Sequence, residues 1–89
     1  MLEDLDIARR RLRFRSWHRG TKETDLILGS FADAHVGGFD AAQLDRYEAL
    51  LEEEDPDIYA WLTGGVAAPE RVRSDVLELL LKFRYQPRP

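Results

Sequence analysis

Eighty-nine residues, 44% hydrophobic and 34% charged, suit a single small domain with one core and little mass left to wall off a deep pocket. The absence of cysteine excludes a disulfide framework, a thiolate nucleophile and a zinc–thiolate site, and no apolar run approaches the roughly 20 residues of a membrane span. A net charge of −4 and a pI near 5.1 argue against nucleic acid as the partner.

Helical punctuation runs the length of the chain and strand alternation is nearly absent, so the pattern predicts an all-α, compact five-helix bundle. The first helix spans about 4–18, with Leu5, Ala8, Leu12 and Ser16 on one stripe and Ile7, Phe14 and Trp17 widening it. Gly20 interrupts that helix and is expected to cap the second, with Glu23 and Asp25 near its positive end. Leu26, Ile27, Leu28, Phe31 and Ala34 carry the second helix to a stop at Gly37-Gly38. Asp40 and Gln43 then spell a capping box, with Phe39 placed to staple onto Leu44. Leu44, Tyr47, Leu50 and Leu51 form the apolar face of the third helix. Asp55 is expected to cap a short fourth helix with Pro56 at its first position, burying Ile58, Trp61 and Leu62 before Gly64-Gly65. A fifth helix is expected from Pro69, with Val72, Val76, Leu79, Leu80 and Phe83 at helical spacing. One domain is expected over 1–89, frayed at about 1–4 and 85–89.

Charge is strongly segregated along the chain. Through residue 22 there are seven Lys/Arg against three Asp/Glu, a net of +4; residues 23–57 hold one against eleven, a net of −10; the remainder holds five against three, a net of +2. Opposite charges on adjacent elements suggest a molecule held in one orientation against a partner. The sign changes at Arg19-Gly20-Thr21-Lys22-Glu23. That corner is therefore expected to present the Arg19 guanidinium and the Glu23 carboxylate to another folded polypeptide, both exposed. The plain alternative is an Arg19–Glu23 ion pair on the surface, worth a few tenths of a kcal/mol.

No catalytic constellation stands out, so no enzyme is expected. His18 and His35 lie at no metal-ligand spacing, and Ser16, Ser30 and Ser74 lack the context of a nucleophile elbow. Gly37-Gly38 has no Lys-Ser/Thr after it to hold a phosphate.

Two motifs carry a resemblance. Arg19-Gly20-Thr21-Lys22-Glu23 reads as Arg-Gly-x-x-Glu, followed by Asp25 and the apolar run Leu26-Ile27-Leu28. Thirty-odd residues on, the segment from Leu50 to Leu62 reads as Leu-Leu-x-x-x-Asp-Pro-Asp-x-x-x-Trp-Leu. In that order the chain resembles, over roughly 9–84, the SdhE-type succinate dehydrogenase assembly factors (flavinylation factors, also known as YgfY/CptB-like). The resemblance implies a five-helix protein that binds the flavoprotein subunit of succinate dehydrogenase or fumarate reductase. It also implies that this helps FAD become covalently attached to a histidine of that subunit. Arg19, Gly20 and Glu23 map onto motif residues that face the flavoprotein, with Gly20 allowing close backbone approach. Arg15, His18, Lys22 and Asp25 flank them as further contacts. Asp55, Pro56 and Trp61 are assigned to structure. No metal and no stably bound cofactor is expected, the only link to FAD being the partner's. A monomer in the bacterial cytoplasm, neither inserted in the membrane nor bound to nucleic acid, completes the expectation; Glu3, Asp4 and Asp6 argue against a transit peptide. The alternative is an antitoxin-like or other regulatory protein-binding module.

Overall fold

Alternation of the burial pattern at helical spacing, rather than any one strong propensity, organises the chain. The computed structural model describes residues 4–83. It contains α1 (Leu5–Trp17), α2 (Lys22–His35), α3 (Ala41–Leu51), α4 (Asp55–Leu62) and α5 (Asp75–Lys82), with short 3-10 turns at Val36–Gly38 and Glu70–Val72. The expected all-α, five-helix architecture is present, and no strand occurs among the described residues. The expected fraying of the ends falls outside those residues except at Asp4. Asp4 caps α1 instead, accepting the backbone N–H groups of Asp6 and Ile7.

One core joins all five helices. Leu12, Leu28, Phe31, Val36, Tyr47, Leu51, Ile58, Val76, Leu77 and Leu80 are its most deeply covered members. Phe31 is the aromatic hub, meeting the rings of His35, Phe39, Tyr47 and Phe83. A polar pair sits inside this core. Ser16 donates to the Leu12 carbonyl at 2.7 Å, so its oxygen accepts from the Tyr47 hydroxyl at 2.6 Å. Burial pushes the Tyr47 phenol up to about 12, against the opposing charge of Arg19.

Local corrections follow from side-chain chemistry. Asp40 and Gln43 form the expected capping box. Asp55, however, is the first residue of α4 and Pro56 the second, with Glu54 at the cap position; the Asp55 carboxylate is used elsewhere. The fifth helix starts six residues later than expected. Pro69 opens only the Glu70–Val72 turn, and Ser74 caps α5 by accepting from the Leu77 N–H. Ile7 and Phe14 do not widen the buried stripe of α1: they stand 55% and 64% exposed. Leu79 is likewise largely on the surface.

The start of α5 is tied to α3 by Asp75, which accepts from Arg46 Nε at 2.7 Å, Arg46 Nη2 at 3.1 Å and Gln43 at 3.2 Å. The Arg46 bond first, then the Gln43 bond, holds this carboxyl below its ordinary value. A depressed carboxyl contributes stability that is present above its unfolded-state pKa and is lost as pH falls through the lower folded value. Urea midpoints measured at pH 6 and pH 3 should therefore fall less in Asp75→Asn than in the parent protein.

Candidate functional site: the corner between the first two helices

The basic residues of α1 divide by partner, and Arg9 stands by itself, bonded to Asp6 and to the Phe39 carbonyl. Arg11 and Arg15, four residues apart, share one side of α1, and Arg19 continues their spacing just beyond the end of the helix at Trp17. That side faces the acidic end of α3. Arg11 grips Glu48 with two bonds of 2.7 and 3.2 Å. Arg15 reaches Glu48 at 3.5 Å and Glu52 at 3.1 Å. Arg19 completes the ladder on Asp55 at 2.8 Å. The charge segregation seen in the sequence is thus spent largely within the molecule, zipping α1 to α3 and α4. Arg15, expected as a partner contact, is a rung of this ladder.

Arg19 departs furthest from expectation. Its side chain is only 11% exposed. Besides Asp55 Oδ1, it donates from Nη1 to the Leu51 carbonyl at 2.6 Å and from Nη2 to the Glu53 carbonyl at 2.9 Å. Leu51 ends α3, where carbonyls have no intrahelical partner. A planar fork with several fixed donors is the side chain that can close such an end and bridge to the next helix. Arg19 does not hold out its guanidinium to another polypeptide, nor does it pair with Glu23; it fastens the α3–α4 junction beneath the corner.

The backbone above that fastener is shaped by Asp25. Its Oδ1 accepts the Arg19 N–H at 2.6 Å and the Gly20 N–H at 3.2 Å, so Asp25 turns inward to the loop. Gly20 is not the cap of α2; Thr21 takes that position without a side-chain bond. Gly20 instead has φ +111°, a region that favours glycine. A Cβ built on it would meet nothing within 4 Å. Glycine is thus required here by backbone conformation, and the space outside it is open.

Around this open point the side chains are unengaged. Lys22 and Glu23 are exposed and have no side-chain partner among the described residues. A shallow groove of about 340 Å³ runs beside them, lined by Thr21, Glu23, Thr24, Asp55, Pro56 and Tyr59. Asp55 and Pro56 were assigned to structure alone; they also wall this groove. Tyr59, 40% exposed, was not foreseen at all. Trp61, by contrast, is buried in the core as expected. On the other side of Gly20, the His18 ring stacks on Phe14 with centroids 4.0 Å apart, and its Nδ1–H donates to the Phe14 carbonyl at 2.7 Å.

The described residues hold no cluster of His, Asp or Glu able to bind a metal, and no helix long and apolar enough to cross a membrane. A rigidly backed, open corner of this kind suits recognition.

The model of the family described as flavinator of succinate dehydrogenase matches residues 10–84. The chain belongs to that family. It is similar to the FAD assembly factor SdhE of Acetobacter pasteurianus, 38% identical over 80 residues, which span 90% of this chain and 73% of that one. It is also similar to the mitochondrial succinate dehydrogenase assembly factor 2 of Dictyostelium discoideum, 35% identical over 79 residues (89% of this chain, 56% of that one). The Candida glabrata protein of the same name is 42% identical over 85 residues (91% and 56%). The chain therefore spans about half the length of these mitochondrial relatives. The flavinator family match begins and ends almost where the two sequence motifs placed the resemblance.

Proposed function

We propose that this protein is an assembly factor that binds the flavoprotein subunit of succinate dehydrogenase, or of fumarate reductase, and promotes covalent attachment of FAD to it. The family match over most of the chain carries this reading; the open Gly20–Glu23 corner supplies a surface suited to it. The factor acts without chemistry of its own. The histidine that bonds the flavin is the partner's, and the contribution of this chain is to hold the partner in a reactive arrangement, a proximity and orientation effect. Gly20 lets the partner's backbone come close, and Glu23 and Lys22 provide its polar contacts. Asp25 and Arg19 act from behind, by fixing the loop and the helix junction. We place the factor, as a monomer, in the bacterial cytoplasm.

The test is to produce the flavoprotein subunit in cells lacking their own assembly factor and to read covalent flavin by fluorescence on a denaturing gel. Supplying this protein should raise the signal several-fold; an unchanged signal overturns the proposal. Glu23→Ala, at an exposed position without an intramolecular partner, should leave stability within about 0.5 kcal/mol of the parent while lowering the flavin signal.

A further inference from the structure

Two further α1 arginines, Arg10 and Arg13, have no role in the ladder. Arg10 lies on the side of the helix opposite the core, Arg13 is half-buried on the flank with its guanidinium beside Gly37, and neither has a carboxylate partner among the described residues. Ile7 and Phe14, 55% and 64% exposed, fall on the same outer side, two turns apart. They are the most exposed large apolar side chains of α1. The Phe14 ring is held in place by its stack on His18, which is itself tied to the Phe14 carbonyl, so the plate loses little freedom when covered. Six residues beyond Phe14 the chain reaches the open face of Gly20. Exposed aromatic and arginine side chains together are the composition of an interface centre, and arginines without internal counter-charges ask for acidic groups opposite.

We infer that the outer stripe of α1, built from Ile7, Arg10, Phe14 and His18 with Arg13 at its edge, is a second contact surface of this protein, which continues the Gly20 corner and seats an acidic patch with an apolar centre on the flavoprotein subunit. The inference rests on the function proposed above for its partner. It extends the contact along the helix that precedes the first sequence motif, to residues that neither motif contains. Charge selects the class of partner: the whole chain is net negative, which disfavours an anionic membrane or a nucleic acid as the cover for this stripe.

The test uses the full chain and the purified flavoprotein subunit, with Kd measured by calorimetry at 50 and 300 mM salt. Phe14→Ala should weaken binding about tenfold or more, with an unchanged melting temperature. The Arg10→Glu/Arg13→Glu pair should weaken it at least as far at low salt and flatten the salt dependence of the parent protein. Parent-like affinity and salt dependence in all variants overturns this inference and leaves the proposed function standing. No binding by the parent protein overturns both. Sedimentation of the factor alone provides a further arm: a dimer that Phe14→Ala disperses assigns the stripe to a second copy of the chain and overturns the inference.

Discussion

Replacing Arg19 with alanine will lower the melting temperature by more than about 10 °C, the largest loss expected from any charged position. Three bonds disappear at once, and the Asp55 carboxylate, 17% exposed, loses its counter-charge. The Leu51 carbonyl at the end of α3 and the Glu53 carbonyl in the link to α4 lose their donors as well. Breaking a covered pair by removing one partner costs about 3–5 kcal/mol, and the residual exposure of this one argues for the lower end. At this chain length each kcal/mol corresponds to roughly 4–8 °C. Arg19→Lys should recover only part of the loss, because an ammonium cannot serve a carboxylate and two divergent carbonyls together. The prediction also separates two roles for this side chain. A residue that gripped the partner directly would, when removed, leave the fold intact and abolish binding. A fastener beneath the surface does the reverse: thermal denaturation shifts, while at a temperature where the variant is still folded its affinity for the flavoprotein stays near that of the parent. A parent-like melting curve for Arg19→Ala would overturn the structural assignment.

Gly29→Ala is expected to destabilise the protein by about 2 kcal/mol even though alanine is the better helix former. Gly29 is buried in the middle of α2, where glycine costs roughly 1 kcal/mol relative to alanine. Propensity alone therefore predicts a gain. A Cβ at this position, however, would fall within the Trp17 ring, against Cδ2, Cε2 and Cε3. These are ring atoms wedged between α1 and α2, and the indole N–H is drawn toward Asp33 at 3.4 Å, so the ring has little room to yield. Forcing an extra methyl into a packed contact costs about 1–3 kcal/mol and sometimes more, which outweighs the gain. Chemical denaturation of the single variant and of Gly29→Ala combined with Trp17→Ala decides the cause. If the clash is responsible, the second substitution should cost much less in the Gly29→Ala background than in the parent. A stabilised Gly29→Ala would show that α1 and α2 are not packed through this glycine.

These two positions also show what could be read from the sequence and what could not. Helix number, the Asp40 capping box and the burial of Trp61 follow from local patterns, and local patterns are visible in a linear string. The location of the corner followed from the Arg-Gly-x-x-Glu motif. The direction of the Arg19 side chain did not, since its partners lie 32 to 36 residues away and nothing local announces them. The sign change in the charge distribution points outward to a partner, whereas Arg11 and Arg15, spaced four residues apart, face the acidic end of α3. One signal for that was present: Arg11, Arg15 and Arg19 share a helical period with Glu48, Glu52 and Asp55. No local pattern marks Gly29 as the seat of Trp17, which is brought to it by the packing of α1 on α2. Pro69 misled because a proline can begin a single 3-10 turn as readily as a helix, and Ser74 supplied the stronger cap.

The grip of Arg19 on residues 51–55 also carries a temporal meaning. A chain still emerging from the ribosome holds its Arg-Gly corner early, but the groups that lock it from below arrive only after more than half of the polypeptide has been made. Until then the loop has only its local bonds to Asp25 to brace it. A half-made copy would thus carry the right letters without the fastener beneath them, and its helix junction would stay open to unravelling until residues 51–55 are in place.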